Sequence, residues 1–402
     1  MSRERPHLLL IGGKDSSMRP ISDLPIDVTL IQRRAAATAL QIERSRNLIL
    51  LADLDPRAAV GAAAAIHAVE PFDGVLSFFE DCLAMASEIG ALLGIAHNPL
   101  PAVTATRDKI ATRRLLASAG LPSVRFAECT AAAQLRDFLR QAGGPVIVKP
   151  SSGSGSRGVA LVSDAGDVDA AWEWCQAGGP PPAIAEELVT GRELSVETLS
   201  LDGGHQVISV TEKLTSGPPS FIETGHQLPA RLEQAQAGAV SEVVLRLLEA
   251  VGHRWGPAHT EVMLTPAGVP VLIETQTRFG GDQIWEMVEL VTGVRLAAAT
   301  VAGLFGLDQD GRVPASAGGA AIRFFAYQDA VVEAIDGVRA ARAAPGVRRV
   351  EIRAAPGTKL GPLRNSWDRQ GYVLATGADT DEAVRRAERA RDLIRFTLTS
   401  TA

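Results

Sequence analysis

Two short apolar runs, residues 258–264 (AHTEVML) and 270–276 (PVLIETQ), flank the turn-like segment 265–269 (TPAGV). Alternating runs of this length around a Gly-containing connection specify a strand–turn–strand unit. If the chain reverses about Ala267 and Gly268, Glu261 falls opposite Glu274, with side-chain origins about 4.5–5.5 Å apart on one face. Gln276 shares that face because side chains alternate along a strand. Two ionised carboxylates so close repel by roughly 4 kcal/mol at an intermediate dielectric, so positive charge is expected between them. Carboxylate and amide oxygens without neighbouring Cys suit a hard ion, Mg2+ or Mn2+, and Mg2+ is commonly shared with substrate phosphates. A solvated hairpin with a shared proton or an arginine partner accounts for the same residues equally well, because perturbed carboxylates mark sites only statistically.

The 402 residues suffice for two or three packed lobes. Aromatics make up only 4%, and Ala-rich stretches such as 35–37 and 62–65 point to helices. A net charge of −6 with no dense basic stripe argues against a nucleic-acid partner, while a local Lys/Arg cluster still suffices for a small anionic ligand. Cys82, Cys129 and Cys175 are isolated and lack metal or redox spacing, so buried thiols in a reducing compartment are expected. No apolar run reaches the length of a membrane span. Residues 7–13 fit a buried first strand better than a signal peptide. The expected location is the cytoplasm, without a membrane partner; a homodimer is the assembly expected on general grounds.

Residues 7–98 alternate strand-like and helix-like segments, as in an open parallel sheet. Gly12 and Gly13 follow the first strand without the G-x-G-x-x-G spacing of a dinucleotide site, so a tight turn is expected there. One amphipathic helix is expected from Arg107 to Leu116, stopped by Gly120 and Pro122. Strands follow at 146–149, 158–162 and 183–189, then a hairpin of 193–201 and 206–214 across Asp202, and a long helix over 232–251. From about Gly318, strands at 321–325, 347–352 and 372–374 and a helix at 380–393 form a further unit. The expected domains are 1–98, 99–310 with a smaller lobe at about 115–187, and 311–402.

Lys149 ends an apolar strand and opens the loop PSSGSGSRG at 150–158. Backbone N–H groups and hydroxyls of such a loop can cradle phosphate oxygens, and a lysine at the end of a core strand needs an anion. A flexible hairpin loop is the competing explanation, and the order of a P-loop is absent. The run EELVTGRE at 186–193 could offer backbone groups to a flat base and a carboxylate to ribose hydroxyls; a surface strand ending in a turn explains it as well. Arg278, two residues past Gln276, could reach a phosphoryl or carboxylate group in two-pronged fashion, or pair with a nearby Glu.

Taken in order, R-D-K at 107–109, strand-Lys149 with its glycine-rich loop, the 186–193 run, Glu261, and E-x-Q-x-R at 274–278 resemble the ATP-grasp superfamily. The resemblance implies an α/β fold: an N-terminal doubly wound parallel-sheet domain, ATP-binding lobes and a C-terminal α+β subdomain. It implies Lys109 and Lys149 on the ATP phosphates and the 151–158 loop, including Ser154, Ser156 and Gly158, as a mobile lid. Glu186, Glu187, Val189 and Glu193 would lie at adenine and ribose. Glu261, Glu274 and Gln276 would hold two Mg2+ ions, with Mn2+ able to substitute. Gln276 stands where Asn is common, and both are amide-oxygen donors.

The segments 222–230 (IETGHQLPA), 278–282, 318–325 and 368–377 are similar to those of the L-amino-acid ligases, the dipeptide-forming branch. That likeness implies an ATP-dependent carboxylate–amine ligase working through an acyl phosphate on small-molecule acid and amine substrates. Lys149 and Arg278 would be catalytic, with Glu223, His226, Arg278 and Gly281 at the substrate. An ATP-grasp carboxylase, a carrier-protein ligase and a non-catalytic nucleotide-binding regulator share the same ATP-site residues and stay open at this point.

Overall fold

The run HLLLI at His7–Ile11 is buried along its whole length, which requires a strand covered on both faces. A computed structural model describes residues 5–153, 155–218, 221–308 and 310–400. In it this strand is central in an all-parallel sheet whose order is Asn47–Leu51, Asp27–Arg33, His7–Ile11, Gly74–Leu76. Chain order reverses beside His7–Ile11, and ligands of open α/β sheets bind outside the strand ends at such a point. The residues that leave those ends, Gly13 and Lys14 on one side and Phe79 and Glu80 on the other, line the main cleft.

The expected helix at 107–116 is two helices, Leu100–Arg107 and Lys109–Ser118. Asp108 separates them because its carboxylate accepts from the N–H groups of Ile110 (2.8 Å) and Ala111 (3.3 Å), an N-cap that starts a helix. The smaller lobe is a four-stranded antiparallel sheet ordered Phe126–Cys129, Ala183–Glu187, Val146–Pro150, Ala160–Val162. Helices Ala132–Ala142 and Val168–Gly178 bury Leu135, Phe138 and Val168 against it, together with Cys129 and Cys175. Burial pushes the Cys175 thiol up to about 12, and all three cysteines are buried and unpaired.

An eight-stranded sheet carries the rest, ordered Pro270–Gln276, Gly256–Leu264, Arg192–Leu201, Gly204–Thr215, Glu223–Leu228, Gly319–Phe325, Gly371–Gly377, Val347–Ile352. Its last three strands come from the C-terminal unit, so that unit continues the sheet of the carboxylate hairpin. Glu223–Leu228 (ETGHQL) has no apolar alternation. It is a strand because the edges of Gly204–Thr215 and Gly319–Phe325 both pair with it. Strands Ala330–Asp336 and Arg395–Ser400 were not expected either; with Lys359–Leu360 they form a small separate sheet. Helix Gln234–Val251 seals one part of the large sheet with Val240, Val244 and Leu247, and Ile284–Thr292 another with Met287 and Val288. Among the described residues no helix is long and apolar enough to cross a membrane.

Candidate active site

Glu261 pairs with Glu274, as the spacing predicts, but by a different route. The turn centres on Ala267, so Leu264 lies opposite Pro270 and Val262 opposite Leu272. Continued unbroken, that register would put Ile273 opposite Glu261 and turn Glu274 to the other face. One extra residue, Ile273, bulges out and restores the pairing. The bulge is held by Arg113, whose guanidinium donates to the carbonyls of Leu272 and Ile273, both at 2.8 Å. Its Nε meets Glu186 Oε1 at 2.6 Å. Arg113 is 1% exposed, and nothing in the sequence singled it out beyond a polar place on an amphipathic helix.

The same glutamate holds the predicted phosphate lysine: Lys149 Nζ lies 2.7 Å from Glu186 Oε2. Burial favours the neutral acid at Glu186, but Lys149 and Arg113 outweigh it and hold the carboxyl at about 2. Its side chain therefore braces two cations. The Glu187 carboxylate turns outward to Arg125 (2.7 Å). Leu188 N–H donates to Pro145 (3.1 Å), while Val189 N–H has no protein acceptor among the described residues. Lys109 Nζ sits 3.3 Å from Glu274 Oε1 and donates to the Gly153 carbonyl (3.0 Å), at the base of the glycine-rich loop. Ser154 lies outside the described residues, and Ser156 takes a left-handed φ of 57° at the cleft. Gly158 is required by packing, since a Cβ there would come within 3.1 Å of the backbone of Cys175 and Gly178.

The opposite wall is carboxylate-rich. Lys213 Nζ is shared by Glu261 (2.6 Å), Glu193 (2.7 Å) and Glu223 (3.7 Å). Burial disfavours the ammonium, yet these carboxylates hold it charged well above the ordinary lysine value. They in turn are fed by a second bulge: the register between Arg192–Leu201 and Gly204–Thr215 shifts at Val207/Ser209. Beyond it Glu212 faces Leu194 and Lys213 meets Glu193. His259 Nδ1 lies 2.5 Å from Glu197, and its Nε2 is 3.6 Å from Glu261. Burial opposes the imidazolium, but Glu197 and then Glu261 lift it to about 9. A Cβ on Gly280 would come within 2.8 Å of His259 Nδ1, so only glycine fits there, and its N–H donates to Glu197 (3.1 Å).

Arg278 faces the cleft, with Nε 2.8 Å from Glu80 Oε2 and Nη1 on the Phe279 carbonyl (3.0 Å). Glu80 also forms an ion pair with Arg107 at 3.4 Å, and through Arg278 it ties the N-terminal sheet to the hairpin. It was missed, although its place just beyond a parallel strand end was a usable signal. Gly281 faces open space in the cleft. Among the described residues His226 has no hydrogen bond at either ring nitrogen, and its Nε2 stands 3.6 Å from Asp282 Oδ2. Burial pushes the Asp282 carboxyl up, but His226 and Arg369 hold it well below the usual carboxylate range. Arg369 also was missed. It comes from the C-terminal unit and puts Nη2 2.6 Å from Asp282 Oδ1 and Nη1 3.1 Å from the Glu223 carbonyl. Its position is some 90 residues away in sequence and no spacing rule links the two.

The cleft between these walls has a volume of about 1250 Å3. Glu261, Glu274 and Gln276 offer two carboxylates and an amide oxygen. Lys213 and Lys109 each engage Oε1 of one carboxylate, Gln276 Nε2 donates to Glu274 Oε1, and among the described residues neither Oε2 accepts a hydrogen bond. The donor set is all oxygen and only partly filled, which fits Mg2+ completed by waters and phosphates.

Family models match residues 142–286 as an ATP-grasp domain and residues 323–399 as L-amino acid ligase C-terminal domain 2. A D-alanine–D-alanine ligase of Azoarcus sp. (strain BH72) is 30% identical over 226 residues, covering 54% of this chain and 72% of that one. The alanine–anticapsin ligase of Bacillus subtilis (strain 168) is 26% identical over 242 residues, and the match spans 54% of this chain and 51% of that ligase. The crystal structure of an L-amino acid ligase from Bacillus licheniformis shares the fold, with a TM-score of 0.83 over 98% of this chain and 99% of that one at 24% identity. The chain belongs to the ATP-grasp superfamily, whose members use ATP and Mg2+. Within it, the protein is a carbon–nitrogen ligase that resembles the L-amino-acid ligase branch.

Proposed function

We propose that the protein activates the carboxylate of one amino acid, or a related acid, as an acyl phosphate and joins it to the amine of a second, releasing ADP and phosphate. The observation that carries this reading is the pair of oppositely biased walls meeting at the Glu261–Glu274 hairpin. On one, Lys149 and Arg113 share a single carboxylate; on the other, three carboxylates share Lys213. The first suits phosphates and the second suits cations and ammonium groups.

Lys109, Lys149 and the loop residues Ser154, Ser156 and Gly158 bind the ATP phosphates. Adenine and ribose lie at Glu187, Val189 and Glu193, with the free Val189 N–H as donor to the base, and Glu186 fixes Lys149 from behind. Glu261, Glu274 and Gln276 would hold two Mg2+ ions, with Mn2+ able to substitute; ions bound there supply charge neutralisation between the phosphates and the entering carboxylate. The acid lies against Glu223, His226 and Gly281, its carboxylate toward Arg278. A carboxylate is a poor electrophile, and transfer of the γ-phosphoryl group gives it a good leaving group. The protein's task is to position two anions and balance their charge. Arg278 follows the phosphoryl group to the acyl phosphate by leaving Glu80. The amine then attacks the acyl carbon, loses a proton and displaces phosphate. The 1–98, 99–310 and 311–402 units each contribute to this one cleft.

The test is ADP and phosphate release with Mg-ATP against amino acids singly and in pairs, with product masses recorded. Release that needs two amino acids, with a mass equal to their sum less water, supports the reading. Release only with bicarbonate or a loaded carrier protein would replace it with a carboxylase or a carrier ligase.

A further inference from the structure

Ser366, Trp367 and Arg369 of the C-terminal unit line the cleft, and the turn that bears them is fixed at both ends. Its inner end is bolted to the acid pocket: Arg369 is 3% exposed, lies 3.8 Å over the Phe324 ring, and binds Asp282 and the Glu223 carbonyl. Ser366 Oγ donates to the Glu223 carboxylate. The turn itself is closed by its own hydrogen bonds. Asn365 accepts from Trp367 N–H (2.9 Å), and Asp368 accepts from the N–H groups of Arg364 (2.8 Å) and Asn365 (3.1 Å).

Its outer end reaches the glycine-rich loop. Three carbons of the Trp367 indole lie within 3.0 Å of where a Cβ on Gly155 would stand, so the ring rests flush on bare backbone. Ser366 N–H points to the Gly155 carbonyl at 3.4 Å. Arg364 stacks 5.6 Å over Trp174, whose Nε1 donates to the Val159 carbonyl (3.1 Å) just past the loop. Trp367 is 60% exposed, too open to serve the core. A large aromatic held on a hydrogen-bonded turn, against a loop that has no side chain there, is placed to act on that loop.

We propose that residues 364–369 are a latch that ties the glycine-rich loop to the Glu223–Asp282 end of the cleft, with Trp367 as its positioning residue. The coupling to chemistry rests on the acyl-phosphate reading above. Water reaching an acyl phosphate returns the acid and phosphate without product, so a closed loop protects the intermediate. A latch anchored in the acid pocket makes closure respond to the state of that pocket.

The test uses the full chain with Trp367→Ala, Trp367→Phe and Arg364→Ala. One readout is phosphate released per amide formed; the other is the rate of tryptic cleavage after Arg157, which is exposed in the loop, in Mg-ATP without amino acids. Trp367→Ala should raise both by at least about three-fold with an unchanged thermal midpoint, because water gains entry while the core is untouched. Trp367→Phe should restore most of the wild-type behaviour, and Arg364→Ala should fall between. Either readout at its wild-type value in Trp367→Ala overturns the latch; if that variant does not fold, Arg364→Ala is judged by the same rule. If the wild-type protein ligates nothing, the proposed reaction fails, and the cleavage rate alone decides the latch.

Discussion

The two walls of the cleft solve opposite electrostatic problems. Behind the glycine-rich loop, Glu186 is outnumbered by Lys149 and Arg113, and its wall carries surplus positive charge. Across the cleft, Glu193, Glu223 and Glu261 outnumber Lys213. Glu186, Lys149, Arg113 and Lys213 are buried, where an unpaired charge is costly, while the three carboxylates around Lys213 are half-buried and open toward the cleft. The imbalance fits the occupants proposed above: anionic phosphates on one side, cations on the other.

The largest expected effect is on the carboxylate wall. Lys213→Met leaves three carboxylates without their ammonium and should destabilise the fold by about 3–5 kcal/mol, read as a drop in thermal midpoint. Added Mg2+ should recover part of that loss, and removing divalent ions with EDTA should deepen it. Lys149→Met should instead leave stability closer to wild type, because Arg113 still neutralises Glu186, while turnover falls by about 10²–10³. Equal recovery of both variants by Mg2+ would break the contrast between the walls.

The pH dependence divides the same way. Glu186 is held at about 2 against an ordinary 4.5. Its contribution to stability is therefore complete above 4.5 and is lost as pH falls through about 2. His259 is lifted to about 9 from an ordinary 6.5, so its contribution is complete below 6.5 and is lost as pH rises through about 9. Denaturant midpoints across pH should show Glu186→Gln flattening only the acid limb and His259→Gln only the alkaline limb. An alkaline limb unchanged in His259→Gln would remove the imidazolium from the account.

A smaller effect is expected at the joint between the walls. Arg113→Lys keeps the charge on Glu186 but cannot span two carbonyls and a carboxylate. It should loosen the Ile273 bulge and lower turnover about ten-fold, with the half-saturating Mg2+ concentration rising more than that of ATP. Smallest of all, Arg231→Ala removes an exposed pair with Asp381 and should change stability by less than about 1 kcal/mol.

The local pattern read well where a signal lies within a few residues. Glu261, Glu274 and Gln276 share a strand pair, Lys149 closes a buried strand, and the burial of the three cysteines follows from their isolation. It read poorly where a partner comes from far along the chain. Glu80, Lys213 and Arg369 reach the cleft, and Arg113 braces it from within the core, through contacts between separate elements. The polar strand Glu223–Leu228 was invisible for a related reason: its neighbours, not its own side chains, make it a strand.

By itself the sequence determined the parallel N-terminal sheet, the glycine-rich loop after Lys149 and the facing carboxylates, because side-chain alternation and turn chemistry act over a handful of residues. The tertiary structure decided which face those carboxylates share and what neutralises them. Both hairpins reach their site register through a one-residue bulge, and a bulge reverses the face of every residue beyond it. Its place depends on a buried arginine from another element for one hairpin, and on strand neighbours for the other.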